Sequence, residues 1–112
     1  MSYRDEDGLE LILELVGHIE RRSQGLSKAR FLSDRDEIDL MAYRLSIIGE
    51  ASGKLSQEIR ARNAHIDWIS ISAMRNVIAH DYRGVDPEIV WETLGEDLAS
   101  LAQVCRAELG LI

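Results

Sequence analysis

Apolar residues recur three and four positions apart along most of this chain, which is the period of a helix with one buried face. Leu9, Ile12, Leu13, Val16 and Ile19 make such a stripe and predict a first helix from about Arg4 to Gln24. Asp5, Glu6 and Asp7 suit its positive end, Arg21 and Arg22 its negative end, and Gly25 a stop. Ile38, Met41, Leu45, Ile48 and Ser52 share one face of a second helix, from about Asp34 to Leu55, with Ser33 as expected N-cap and Asp36 three residues on. Gly49 and Gly53 weaken that helix and so point to close packing with a neighbour. A short helix is expected from Ser56 to Arg62. Trp68, Ile71, Met74, Val77 and Ile78 predict a third long helix, capped by Asp67 and running to His80 or slightly beyond. Asp86-Pro87-Glu88 opens the last, with Trp91, Leu94, Leu98, Leu101 and Cys105 as its stripe and Gly110 as its end. No strand-like alternation competes. The expected fold is all-α, an antiparallel four-to-five-helix bundle with short connections.

Length and charge narrow the picture. With 112 residues, a single domain over 1–112 is expected, with a core small enough to benefit from dimerisation. No apolar run approaches the ~20 residues of a membrane span. The acidic N-terminus lacks a hydrophobic signal core, so a cytoplasmic location is expected. Cys105 is the only cysteine, which excludes an intrachain disulfide and multi-cysteine zinc sites, and its place on the apolar stripe reads as core. His18 and His65 lack partners at metal-ligand spacing, and no phosphate-cradling loop or nucleophile elbow occurs. No metal and no cofactor are expected. The net charge of -7 argues against a surface that attracts nucleic acid everywhere. An RNA substrate would need a local patch, with Lys54, Arg60, Arg62, Arg75 and Arg83 as candidates. The acidic remainder would suit a basic protein partner instead.

The chemistry concentrates in Arg75-Asn76-Val77-Ile78-Ala79-His80-Asp81-Tyr82. A permanent cation beside an imidazole that titrates near neutral pH suits phosphodiester chemistry: the guanidinium meets the charge while the imidazole moves a proton. Asn76 and His80, four apart, share a helix face. Arg75 and His80, five apart, stand about 140° apart around an ideal helix. They converge only if the helix loosens before His80, or if two protomers share one cleft across a twofold; the second geometry is preferred. Tyr82, beside Arg83-Gly84, is expected at the surface with a hydroxyl open to reaction or modification. Each residue also has a plainer reading. His80 would be a dipole partner at a helix end, Arg75 half of an ion pair, Asn76 a brace for the turn, and Tyr82 a packing residue. Glu50 would either orient Arg75 or His80 or simply be solvated. Trp68 and Trp91 read as core or dimer anchors.

Arg75-x-x-x-x-His80-x-Tyr82 resembles the signature of the HEPN superfamily, in its HepT-like branch. The likeness extends to Ile48-Gly49-Glu50-Ala51, Ile66-Asp67-Trp68, Met74-Arg75-Asn76 and Gly84-Val85-Asp86 with Ile89-Val90-Trp91, nearly the full length. Ala73 departs from the glycine often found before Met-Arg-Asn, which removes no chemical group. The resemblance implies a HEPN-like homodimer formed through the motif-bearing surface. It implies the toxin of a toxin–antitoxin pair, a metal-independent endoribonuclease with Arg75 and His80 as catalytic residues; Asn76 and Glu50 are candidates for a supporting role on their positions alone. The implied partner is an MntA-like nucleotidyltransferase that AMPylates Tyr82 and silences the toxin. The rival expectation is a non-catalytic nucleotide- or protein-binding subunit of such a nucleotidyltransferase, with Arg75 and His80 gripping a phosphate.

Overall fold

α1 (Tyr3–Ser23) begins where the Ser2 hydroxyl accepts the backbone N–H of Asp5, with Asp5 and Glu6 in the first turn and Arg21 and Arg22 in the last. The computed structural model describes residues 1–111, and of Val77, Ala79 and His80 the backbone only. Leu9, Ile12, Val16 and Ile19 are buried as their spacing predicts, and Leu15, rather than Leu13, completes the buried set.

α2 (Lys28–Leu32) was not expected. Five residues are too few to show a period, yet this turn buries Phe31 completely and sets its ring 5.2 Å from that of Trp91. Its presence moves the next cap. The Ser33 hydroxyl donates to the carbonyl of Arg30 and so closes α2, while Asp34 caps α3 (Arg35–Gly53) by accepting from the backbone of Asp36 and Glu37. Ile38, Met41, Leu45, Ile48 and Ser52 are all buried. α4 (Gln57–Arg62) follows a Ser56 cap, and the Asp5 carboxylate accepts the Ser56 N–H at 2.8 Å, tying α1 to the start of α4.

α5 (Trp68–His80) starts at Asp67, whose carboxylate accepts the Ser70 N–H at 3.1 Å. Trp68 is buried and its indole N–H reaches the carbonyls of Arg60 and Asn63, so the tryptophan anchors this end of the helix.

The last predicted helix is two. α6 (Pro87–Thr93) opens on Asp86 and Pro87 as expected, but the chain turns at Leu94-Gly95 before α7 (Glu96–Glu108). The bend has a packing cause. α6 lies against α2 and α3, whereas α7 lies against α1, and one straight helix could not reach both. Gly95 holds the non-helical conformation between them, and Gly110 ends α7 at φ +73°, where the Leu111 N–H closes back on Arg106.

The seven helices, with no strand among the described residues, pack about one apolar cluster drawn from all of them. α3 and α5 form the main seam and run antiparallel, Gly53 lying by Ser72, Gly49 by Ile71 and Arg75, and Asp39 by Tyr82. Among the described residues no helix is long and apolar enough to cross a membrane.

Candidate active site on the fifth helix

Gly49 decides how close α5 comes to the core. A β-carbon there would lie 2.6 Å from the Ile71 carbonyl oxygen and 3.3 Å from the Arg75 amide nitrogen. Only hydrogen fits between these backbones, so the glycine sets the depth at which the helix carrying Arg75 seats.

Arg75 is exposed. Its Nη1 lies 3.5 Å from the Asn76 side-chain oxygen, at the outer limit of a hydrogen bond, and Asn76 is itself exposed. Among the described residues no carboxylate pairs with the Arg75 guanidinium. In this it resembles most of the chain's cations, since the ion pairs among the described residues engage Arg22, Lys28, Arg35, Lys54 and Arg62. Lys54 pairs with Glu50 at 3.5 Å and Arg62 pairs with Glu108 at 2.6 Å. Of the five cations proposed for an RNA-facing patch, two are thus tied to acids.

α5 remains α-helical from Trp68 through His80. It does not loosen before His80, so the backbone positions of residues 75 and 80 stay about 140° apart around the axis. The His80 side chain lies outside the described residues. Glu50 faces the groove between α1 and α3, among Arg4, Asp7 and Leu11, with its carboxylate against Lys54. Its neighbour Gly49, not Glu50, meets α5.

The turn after α5 is built by Asp81 and Gly84. The Asp81 carboxylate accepts the Gly84 N–H at 3.0 Å and lies where any β-carbon on residue 84 would sit. This turn presents Tyr82, whose side chain is exposed but whose hydroxyl is not idle. It lies 3.0 Å from both carboxylate oxygens of Asp39, to which it donates, and accepts from the Nε–H of Arg35 at 3.0 Å. The Arg35 guanidinium carbon sits 4.6 Å from the centre of the tyrosine ring, and its Nε also meets Asp39 at 3.0 Å. The Tyr82 contact, with Asp39 behind it, raises the Arg35 pKa. Sequence reasoning singled out neither Arg35 nor Asp39. Their spacing is that of a helical ion pair, but nothing local links them to a tyrosine 43 residues further on.

Between α5 and α6 lies an apolar cavity of about 340 Å³, lined by Ala73, Met74, Ile78, Val85 and Ile89 among others. Ile89, on its wall, stands 61 % exposed, and Ile69, 83 % exposed, borders a separate cavity beside His65 and Trp68. Trp68 is a core anchor and Trp91 is half-buried against Phe31. Cys105 is fully buried, and burial pushes its thiol up to about 12, which leaves it inert. Among the described residues no group of three or more His, Cys, Asp or Glu side chains could hold a metal ion.

The sequence comparisons agree on one lineage. Residues 12–108 match the family described as ribonuclease HepT-like. The chain is 33 % identical over 101 residues to a protein of Thermococcus cleftensis named "Probable ribonuclease HepT", covering 90 % of this chain and 92 % of that one. It is 33 % identical over 93 residues to a "Putative RNase" of Caldanaerobacter subterraneus subsp. tengcongensis, covering 83 % of each. No solved structure matches it with significance. The matched region takes in the α3–α5 seam, the exposed Arg75 and the turn bearing Tyr82, and the chain belongs to the ribonuclease HepT-like family.

Proposed function

We propose that this chain is a metal-independent endoribonuclease that works as a homodimer in the cytoplasm, as the toxin of a toxin–antitoxin pair. The observation that carries the reading is Arg75, an exposed guanidinium with no acid against it, on a helix of a ribonuclease family. Arg75 stabilises charge on the non-bridging phosphate oxygens. His80 takes the proton of a ribose 2'-hydroxyl, which attacks the adjacent phosphorus, and the second protomer's imidazole protonates the leaving 5'-oxygen. The product is a 2',3'-cyclic phosphate, and DNA, lacking the 2'-hydroxyl, is not a substrate. Asn76 braces Arg75.

Two observations support a cleft shared between protomers. α5 keeps positions 75 and 80 divergent within one chain, and two apolar side chains stand exposed, Ile69 on α5 itself and Ile89 on the wall of the cavity between α5 and α6. Control of the toxin is assigned to an MntA-like nucleotidyltransferase antitoxin that transfers AMP to Tyr82, whose exposed side chain leaves room for a second protein.

The test is cleavage of total RNA and tRNA by purified protein in EDTA, with Arg75→Ala and His80→Ala beside it. Each substitution should lower the rate by about 10²–10⁴-fold without loss of fold. Intact RNA and harmless expression of the parent chain would favour the second reading, a non-catalytic nucleotide- or protein-binding subunit. That reading draws on the net charge of -7 and on the pairing of Lys54 and Arg62 with acids, which engages two of the five cations of the RNA-facing patch.

A further inference from the structure

The Tyr82–Asp39–Arg35 network is too exposed to serve stability alone. The side chains of Arg35 and Asp39 are 49 % and 41 % exposed, and Tyr82 is 55 % exposed. Ion pairs this wet contribute little net stability. Yet the phenolic oxygen meets the Arg35 Nε–H and both oxygens of Asp39, and the Arg35 guanidinium also lies over the ring. The three groups form a tight triangle: the Asp39 carboxylate takes the phenolic proton, and the Arg35 Nε–H lies 3.0 Å from both the phenolic oxygen and that carboxylate.

We infer that Asp39 and Arg35 complete a modification site at Tyr82, in which Asp39 accepts the phenolic proton during nucleotidyl transfer and Arg35 receives the phosphate. The inference rests on the reading that Tyr82 is AMPylated. The Tyr82 oxygen attacks the α-phosphorus of a nucleoside triphosphate brought by the nucleotidyltransferase. The new oxygen–phosphorus bond forms as the bond to the β-phosphate breaks, and pyrophosphate leaves with the electron pair. The phenolic proton passes to Asp39 over the 3.0 Å contact already in place. Protonation neutralises Asp39 as a phosphodiester anion appears beside it, which removes the like-charge repulsion that a carboxylate would exert there. Arg35, released from that carboxylate, pairs with the phosphodiester instead, a stronger contact for a guanidinium.

The same geometry explains why this tyrosine would be chosen. Tyr3 and Tyr43 are also exposed, at 85 % and 64 %, but among the described residues neither hydroxyl has a carboxylate or a guanidinium against it. Other charges surround the site, and most are engaged. Asp81 accepts from Gly84, Asp86 from Glu88, Glu88 pairs with Lys28, and Glu37 with Arg22. Asp36, Arg75 and Arg83 are exposed, and His80 lies two residues before Tyr82.

The pH dependence of modification tests the assignment. The chain is incubated with an MntA-like nucleotidyltransferase, ATP and Mg²⁺, and AMP addition is followed by mass spectrometry from about pH 6.5 to about pH 8.5. All variants carry His80→Ala, so the imidazole cannot shape the profile. With Asp39 present the rate should be nearly level, because a proton acceptor already stands against the hydroxyl. In Asp39→Asn the proton must leave to solvent before attack, a step that hydroxide favours. The rate at pH 7 should fall by about 10²–10⁴-fold and climb with pH. Asp39→Glu should restore the level profile, and Arg35→Ala should slow the reaction while leaving it level. Parallel profiles for Asp39→Asn and its parent would overturn the role of Asp39 and make the network a latch, and an unaltered rate in Arg35→Ala would remove Arg35 from the site. If the Asp39-bearing chain gains no AMP at all, the AMPylation reading itself fails, a result distinct from parallel profiles.

Discussion

Gly49 and Arg75 touch backbone to backbone: a β-carbon on residue 49 would stand 3.3 Å from the amide nitrogen of residue 75, and closer still to the carbonyl of Ile71. The obstacle is helix backbone, which cannot swing aside as a long side chain would. Gly49→Ala should therefore push α5 outward, lowering stability by about 1–3 kcal/mol through overpacking. That exceeds the gain of about 1 kcal/mol that alanine brings to a helix interior. Gly17 is the control. It lies mid-helix in α1 with nothing within 4 Å of a new β-carbon, so Gly17→Ala should stabilise by about 0.5–1 kcal/mol. Urea titration of both variants checks the opposite signs, and RNA cleavage should suffer only in Gly49→Ala.

A charge on the apolar patch beside α5 should separate protomers. Ile69→Glu and Ile89→Glu each replace an exposed side chain, so the fold of the monomer should survive. Sedimentation should show a dimer for the parent and a monomer for the double variant, with cleavage lost alongside. A double variant that stays dimeric would place the interface elsewhere.

The products of cleavage report the chemistry. RNA fragments should end in a 2',3'-cyclic phosphate, and a substrate with a 2'-deoxyribose at the cleavage position should be inert, because the nucleophile is missing. Fragments ending in 3'-hydroxyl with 5'-phosphate would require a water nucleophile and a different assignment for His80.

Acid should weaken the fold at two ties between distant segments. The Asp5 carboxyl is 6 % exposed, and burial pushes its pKa up, but the Ser56 N–H and the Ser56 and Ser2 side chains outweigh that and hold it below the usual value. Glu108 is held low chiefly by its hydrogen bond from Arg62. A carboxyl whose folded pKa is depressed stabilises above its unfolded pKa and loses that contribution as pH falls through the folded value. Melting temperature should therefore be steady above about pH 5 and drop below about pH 4. Asp5→Ala should cost about 1–3 kcal/mol at pH 7, by orphaning the Ser56 amide, and the gap from the parent should narrow in acid.

Local pattern carried much of this architecture. The buried faces of α1 and α3 are readable because each apolar side chain meets the core at its own turn of helix. Gly49 and Gly53 were legible as close-packing positions because a helix former was available and not used. α2 and the bend at Gly95 were not legible, since one is too short to repeat a helical period and the other answers to where α1, α2 and α3 lie. Cap residues moved for the same reason: Ser33 and Asp34 are both competent, and only the existence of α2 assigns them.

The candidate site divides along the same line. An Arg, an Asn, a His and a Tyr within eight residues are chemistry that sequence alone declares, and their order carries the family with it. Which of them meets an acid is a property of space. Tertiary packing left Arg75 without one, set Glu50 in the groove against α1, and placed Asp39 and Arg35 against the Tyr82 hydroxyl. The physical reason is range. Helix period and capping act over three or four residues, whereas the Tyr82–Asp39 contact spans 43 and exists only because α3 and α5 lie antiparallel with Gly49 between them.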